Sequence, residues 1–308
     1  GSTFKPVNAL IGLQEGIITP NTRYTCPNGY FAGPIHVECH PHESPISLYQ
    51  ALTVSCNSYF CHAFRDFLDD KRFGSPRSGY IVWRNYINYF GFGQKLGTDF
   101  VNEMPGKFPR AEYYDKIYGI KGWKSLTVFS LAIGQGEIIL TPLQNANSAC
   151  IIANRGYYIS PHIIKSIEGE KGIDAKYKVQ HIVPIKKEYF DDVIEGMNRV
   201  TTKGTGGTAS WCEIPGIQMC GKTGTAQNPH GDEHSIFIAF APKDNPKIAI
   251  SVYVENAGFG ASWAAPIGSL MIEKYLTDSI KRWWHQKYIL DTNLIHGSNK
   301  NKANTRKH

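Results

Sequence analysis

The 308 residues are 42% hydrophobic, 19% charged and 12% aromatic, which excludes disordered, collagen-like and disulfide-miniprotein classes and leaves room for one large or two modest cores. No apolar run reaches the ~18 residues of a membrane-spanning helix; the greasiest stretches are Leu126–Ile133 and Ile236–Ala241. The 33 basic and 26 acidic residues give a net charge of +7, spread along the chain in a way that argues against a nucleic-acid partner.

Gly1 stands where a start methionine would, and structured-looking sequence begins at once; the expectation is a fragment without its N-terminal portion. Residues 2 to about 160 read mostly helical. Apolar positions recur at helical period over Ser47–Phe67 and Lys124–Ala132. Thr141 and Pro142 supply an N-cap and an N1 proline for a helix over Leu143–Asn154, with Gly156 as its stop. Gly, Pro, Ser and Asn crowd Phe73–Gly79 and Gly91–Gly106, which predicts loops.

From about residue 180 the pattern changes. Lys186–Val200 reads as a helix and Gly204–Gly207 as a loop, and strand-like runs follow at Ile217–Ala226, His234–Ala241 and Lys247–Glu255. Pro242–Pro246 makes the hairpin between the last two, and a helix from about Ala264 to Trp284 would cover the sheet, with Trp283 and Trp284 packed at its end. The expected fold class is α+β, an antiparallel sheet flanked by helices beside an all-helical lobe, in one interleaved domain over residues 1–286. Residues 287–308 read as a disordered basic tail.

Three short motifs carry the chemistry: Ser2-Thr3-Phe4-Lys5, Ser55-Cys56-Asn57 and Lys222-Thr223-Gly224-Thr225. Each alone is weak, since a Ser with Lys three residues on arises about once by chance in such a chain; their joint occurrence in this order is strong. If Ser2 opens a helix, Lys5 lies one turn on along the same face. A serine hydroxyl becomes nucleophilic when a neighbour takes its proton, and a buried lysine that is neutral part of the time can be that base. Ser55 can pass the proton onward, and Asn57 offers amide donors and acceptors to a peptide-like substrate. Lys222 on a strand edge places a cation for a substrate carboxylate, and Gly224 lets an extended substrate approach closely.

At these residues the chain resembles the penicillin-interacting transpeptidases, the serine acyltransferases that include penicillin-binding proteins and serine β-lactamases. Ile133-Gly134-Gln135-Gly136-Glu137 and the following Leu140-Thr141-Pro142-Leu143-Gln144 resemble class B penicillin-binding proteins, and Ser55-Cys56-Asn57-Ser58-Tyr59-Phe60 resembles their elongation-type branch. The likeness runs from Ser2 to about Leu276. It implies the penicillin-binding-protein transpeptidase (β-lactamase-like) fold, with Ser2 as acylated nucleophile, Lys5 as its base and Ser55 as proton relay. It further implies that Asn57 and Lys222 position the substrate, that Thr223 and Thr225 contact its carboxylate, and that the N–H groups of Ser2 and Thr225 form the oxyanion hole.

The implied activity is peptidoglycan cross-linking through an acyl-enzyme with D-Ala-D-Ala stem peptides in cell elongation. The chemistry needs no cofactor, and β-lactams would acylate the same serine. The implied partner is a membrane glycosyltransferase of the shape, elongation, division and sporulation family, and the implied location is the outer side of the cytoplasmic membrane. Family members carry a strand and helix before the nucleophile that complete the sheet; with one residue there, this chain is expected to lack them together with a pedestal domain and an anchor. A serine β-lactamase, for which no Glu-x-x-Leu-Asn signature is found, and a non-catalytic β-lactam sensor or scaffold are the competing readings.

Seven cysteines include an odd one. Cys26, Cys39, His42 and Cys56 are separated by 12, 2 and 13 residues, an acceptable tetrahedral zinc set with His40 as competitor for the imidazole. Such a metal would tie the Tyr24–Pro45 loop to the wall of the cleft, and the resemblance to elongation-type proteins points the same way. The alternatives are a Cys26–Cys39 disulfide, or Cys56 and Cys61 as small buried hydrophobes. Cys150, Cys212 and Cys220 read as structural.

Overall fold

The computed structural model describes residues 1–169 and 172–294. A 3-10 turn over Ser2–Phe4 leads into α1 (Lys5–Gln14). Four short strands follow, β1 (Arg23–Tyr24), β2 (Gly29–Ala32), β3 (Ile35–Glu38) and β4 (Ile46–Ser47), in a stretch expected to be helical. β1 pairs with β4 and β2 with β3, the latter around a tight turn opened by Gly33 at φ +59°. Strands of two to four residues carry no readable alternation, so the sequence pattern passes over them.

Instead of one helix over Ser47–Phe67 there are two, α2 (Leu48–Thr53) and α3 (Asn57–Leu68), broken where Ser55 adopts φ +59°. The Cys56 sulfur caps α3 by accepting the Tyr59 N–H at 3.3 Å. α4 (Pro76–Tyr89) begins inside the segment expected as a loop. There Ser75 accepts the Ser78 N–H and Pro76 takes the first turn, so the Ser-Pro pair starts a helix where a loop was expected. α5 (Ala111–Tyr118) follows, and Lys124–Ala132 forms two 3-10 turns rather than an α-helix.

α6 (Pro142–Ala153) starts at the expected cap: Thr141 Oγ1 accepts the Gln144 N–H and Gln144 Oε1 accepts the Thr141 N–H, both at 3.1 Å. The Gln144 amide also donates to the carbonyls of Gly91, Gln94 and Pro105, which organises the Gly91–Gly106 loop. β5 (Tyr157–Ile159) pairs with β6 (Gln180–Ile182), and α7 (Lys187–Thr201) lies where the pattern put it.

The main sheet is antiparallel, in the order β7 (Cys220–Ala226), β8 (His234–Ala241), β9 (Ile248–Val254). β8 is central and buried on both faces, which explains its unbroken apolar run. Phe237, Ala239 and Ala241 pack against Ala264, Ala265 and Ile272 of α8 (Ala264–Thr277), while Ile238 and Phe240 join the main core with the helical lobe. The expected closing helix is interrupted by Asp278 at φ +55°, and α9 (Trp283–Leu290) returns along α8. The buried Arg282–Glu273 pair at 3.0 Å fixes this corner.

Residues 287–290, assigned above to the tail, therefore belong to a helix, with Tyr288 stacked on Trp263 at 5.0 Å. The rest of the expected tail lies mostly outside the described residues. Trp283 and Trp284 are 64% and 51% exposed rather than packed. Among the described residues no helix is long and apolar enough to cross a membrane.

Phe237→Ala opens a cavity between sheet and α8, and the expected cost is about 3–5 kcal/mol, read as a lower midpoint in urea unfolding with an unchanged slope.

Candidate active site

The 3-10 turn sets the geometry of the first motif. With three residues per turn it brings residues i and i+3 to the same side, so Ser2 and Lys5 share a face although Ser2 precedes the α-helix proper. The turn closes with the Phe4 N–H on Gly1 O at 3.0 Å. It is braced from the 134–137 segment, whose Gly134 O accepts from Gly1 N at 2.5 Å. A methyl group on Gly134, which sits at φ +70°, would lie 2.2 Å from Gly1 O and 2.7 Å from Phe4 Cβ.

Lys5 is fully buried. Its Nζ donates to Ser55 O at 2.8 Å, Ser55 Oγ at 3.1 Å and Asn57 Oδ1 at 2.6 Å. Those three bonds join the first motif to the second; Lys5 is tied to Ser55 and Asn57 rather than directly to Ser2. Burial lowers the Lys5 ammonium to about 8, against the raising effect of Cys56, Cys39 and Cys61, so that about one amine in ten is neutral at pH 7. Ser55 lies in the left-handed region at φ +59°, a strain that its two bonds from Lys5 oppose.

β7 forms the opposite wall. Lys222 and Gly224 point one way and Thr223 and Thr225 the other. Gly224 faces the turn that carries Ser2: a Cβ there would stand 2.9 Å from Thr3 Cγ2 and 3.5 Å from Ser2 N. Its missing side chain makes room for the turn carrying Ser2. A Cβ on Gly1 would lie 2.7 Å from Thr225 O and 3.2 Å from Thr225 N, so the start of the Ser2 turn packs directly against β7 at Thr225. Lys222 is fully buried, and burial followed by the Lys5 charge holds its amine well below the usual lysine range. It donates to Thr223 O at 3.1 Å and is a desolvated group at the base of the wall rather than a solvated cation.

Two residues were given no role by the motif reading. Gln135 donates to Thr225 O at 3.1 Å and so links the 134–137 segment to the strand. Thr208 donates its N–H to Thr53 O at 3.2 Å and shares a 2.7 Å hydrogen bond with the Thr223 hydroxyl, bridging the two walls. Nothing in a lone threonine after Gly204–Gly207 signals that bridge.

The four candidate ligands converge. One donor atom each from Cys26, Cys39, His42 and Cys56 lies within 4.8 Å of all the others, whereas the exposed His40 instead faces the Phe259 ring at 6.1 Å. Cys39 and Cys56 sulfurs are 4.0 Å apart, near the roughly 3.8 Å between two thiolates on one tetrahedral zinc. His42 places Nδ1 2.7 Å from Glu43 O, and its buried Nε2 has no hydrogen-bond partner; a lone pair held in this way is how metal-binding imidazoles are oriented. The Cys39 thiol is pushed down to about 5, first by its hydrogen bond with Cys56 and then by the Ser58, Cys26 and Asn57 donors. The residues present thus fit a zinc ion. They also touch the second motif, since the Asn57 N–H donates to Cys39 Sγ at 3.1 Å and Asn57 Nδ2 to Glu38 O at 2.7 Å. Cys61 is buried in the core beside α1, away from this set.

The model of the penicillin binding protein transpeptidase domain matches residues 1–273. The chain belongs to that family. It is 30% identical over 290 residues to a peptidoglycan D,D-transpeptidase MrdA of Acinetobacter baumannii, covering 86% of this chain and 40% of the relative. It superposes on Pseudomonas aeruginosa PBP2, solved with WCK 5153, at TM-score 0.77 and 30% identity, covering 92% of this chain and 60% of the other. A second structural relative, from a study of the coordination of polymerization and crosslinking by a peptidoglycan synthase complex, gives TM-score 0.74 and 26% identity over 92% of this chain and 47% of that one. These relatives make it a class B, PBP2-type transpeptidase domain with the α+β fold of the family. The chain spans between 37% and 44% of the first curated relatives it matches.

Because Lys5 must be neutral to accept a proton and its amine titrates near 8, Ser2 acylation is expected to rise about tenfold per pH unit below that value and to level off above it. A pH series of single-turnover acylation by a fluorescent penicillin reads this directly; a profile flat from pH 6 to 9 would remove Lys5 from the proton path.

Proposed function

We propose that this chain is the catalytic domain of a peptidoglycan D,D-transpeptidase acting in cell elongation and cell-shape maintenance. The observation that carries the reading is the single network in which Lys5 bonds to both Ser55 and Asn57 while the Ser2 turn lies against β7. In it, Ser2 Oγ attacks the carbonyl of the penultimate D-Ala of a stem peptide. Its proton passes through the Lys5–Ser55 pair to the amine of the departing D-Ala, and the N–H groups of Ser2 and Thr225 hold the developing oxyanion. Thr223 and Thr225 receive the terminal carboxylate beside Lys222, and Asn57 orients the peptide. An amine of a second stem peptide then resolves the ester. A β-lactam mimics the first half of this sequence and leaves Ser2 acylated.

The relatives named peptidoglycan D,D-transpeptidase support this activity, and the relative from a synthase complex that coordinates polymerization and crosslinking supports work beside a polymerising partner, here proposed to be a membrane glycosyltransferase. Such a substrate puts the domain on the outer side of the cytoplasmic membrane. Intact-mass spectrometry after exposure to a penicillin is expected to give one adduct that lasts for hours and is absent in Ser2→Ala. Rapid release of hydrolysed drug would point to a β-lactamase, and no adduct at all would sink the assignment of Ser2.

The same reading gives Cys26, Cys39, His42 and Cys56 to a structural zinc ion, which when bound cross-links the 24–45 loop to the start of α3. The chain's own part is to hold Asn57 by the Cys39 sulfur and the Glu38 carbonyl. One zinc per chain by elemental analysis is expected, and a chelator should lower Tm by roughly 5 °C or more. A stoichiometric disulfide among these cysteines would exclude the metal.

A further inference from the structure

Beyond Thr208, at the Thr223 end of β7, lies a further cavity. It has a volume of about 380 Å³ and is lined by His42, Glu43, Gln50, Thr53, Arg199 and Thr205, among others. Thr208 links its Thr53 wall to Thr223, through the 3.2 Å bond to Thr53 O and the 2.7 Å bond to the Thr223 hydroxyl. Arg199 is held on two sides. Its guanidinium lies over the Tyr49 ring at 5.1 Å, and its Nε donates to Glu195 Oε1 at 2.8 Å. Glu195 is itself anchored by Lys243 at 2.7 Å. Among the described residues the two Nη groups of Arg199 donate to nothing, so a fork fixed in position keeps its carboxylate-binding edge available.

The chemistry says what should arrive there. In the first half-reaction the scissile C–N bond breaks as the Ser2 ester forms, and the D-amino acid departs with its amine protonated. In the second, the nitrogen of the incoming amine bonds to the same acyl carbon, the C–O bond to Ser2 breaks, and the amine's proton returns to Ser2 Oγ through the Ser55–Lys5 network. The incoming nitrogen takes the position that the leaving nitrogen vacated, so the remainder of its molecule must extend where the departed amino acid lay, past Lys222 and Thr223. The cavity is the next space along that path. Water, which would merely hydrolyse the ester, needs nothing from it.

We propose that this cavity is the subsite for the acceptor strand, a peptide that bears a primary amine and a carboxylate, with Arg199 receiving the carboxylate. The inference rests on the transpeptidase reading and adds to it the place and charge of the second substrate. Arg199 and Glu43 on one lining suit a peptide carrying both charges better than a simple alkylamine.

The test measures partition. The purified protein is given a D-Ala-D-Ala stem peptide as donor and an amine- and carboxylate-bearing peptide as acceptor, and cross-linked and hydrolysed products are quantified by mass spectrometry together with the rate of Ser2 acylation. Arg199→Ala should lower the ratio of cross-linked to hydrolysed product about tenfold, and Arg199→Lys should recover part of it. An acceptor whose carboxylate is replaced by a carboxamide should give the same ratio with wild type and Arg199→Ala. An unchanged ratio in Arg199→Ala while Ser2 is still acylated overturns the subsite alone. A fall that persists unchanged with the carboxamide acceptor overturns the carboxylate assignment, and failure of the wild type to acylate Ser2 overturns the transpeptidase reading and the subsite with it.

Discussion

A buried ammonium group is tolerable only when its protons are used, and the architecture of this domain is arranged around that of Lys5. Removing such a charge from water costs several kcal/mol, and here three acceptors, Ser55 O, Ser55 Oγ and Asn57 Oδ1, take its three N–H bonds. Each comes from the break between α2 and α3, some fifty residues away in sequence. The packing of α1 against α3 and the left-handed turn at Ser55 are therefore held by the bonds of the same amine whose burial lowers its pKa. Stability and chemistry share one group of atoms.

That junction is supported from outside by the cysteine-bearing loop. Asn57 faces Lys5 with its carbonyl and the loop with its amide hydrogens, one on the Glu38 carbonyl and the backbone N–H on Cys39 Sγ. A shift of the loop moves Asn57, and with it one of the three acceptors of Lys5. A metal held by Cys26, Cys39, His42 and Cys56 would thus act on the cleft through position. The thiol pattern and the buried lysine are two ends of one hydrogen-bonded path.

The helices that were legible in advance are α6, whose end carries the Thr141–Gln144 capping box, and α7, with its strong apolar stripe. β8 and β9 were legible because one strand is buried on both faces and the two are joined by a proline-bounded turn. What escaped was decided by partners distant in sequence. Ser47–Phe67 has an unbroken helical period, yet Lys5 binds the carbonyl and hydroxyl of Ser55 where the helix breaks. The Ser75–Pro76 pair could open a loop or a helix, and packing of Tyr80 and Trp83 into the core selects the helix. The four short strands around the thiols have too few residues to show a period at all.

The order and spacing of Ser2, Lys5, Ser55, Asn57 and Lys222–Thr225 determine the reaction class, because residue type sets what each group can donate, accept or attack, and one turn of helix fixes the first pair. Cys26, Cys39, His42 and Cys56 were likewise readable as a ligand set by type. Which atoms meet belongs to the folded chain: that Lys5 engages Ser55 and Asn57, that Gly224 admits the Ser2 turn, that Lys222 is desolvated, that His42 rather than His40 joins the thiols, and that Thr208 spans the cleft. Those outcomes depend on burial and on contacts between segments tens to hundreds of residues apart. A local pattern carries no information about which distant acceptor a buried donor will find, since that choice is made by the packing of the whole core.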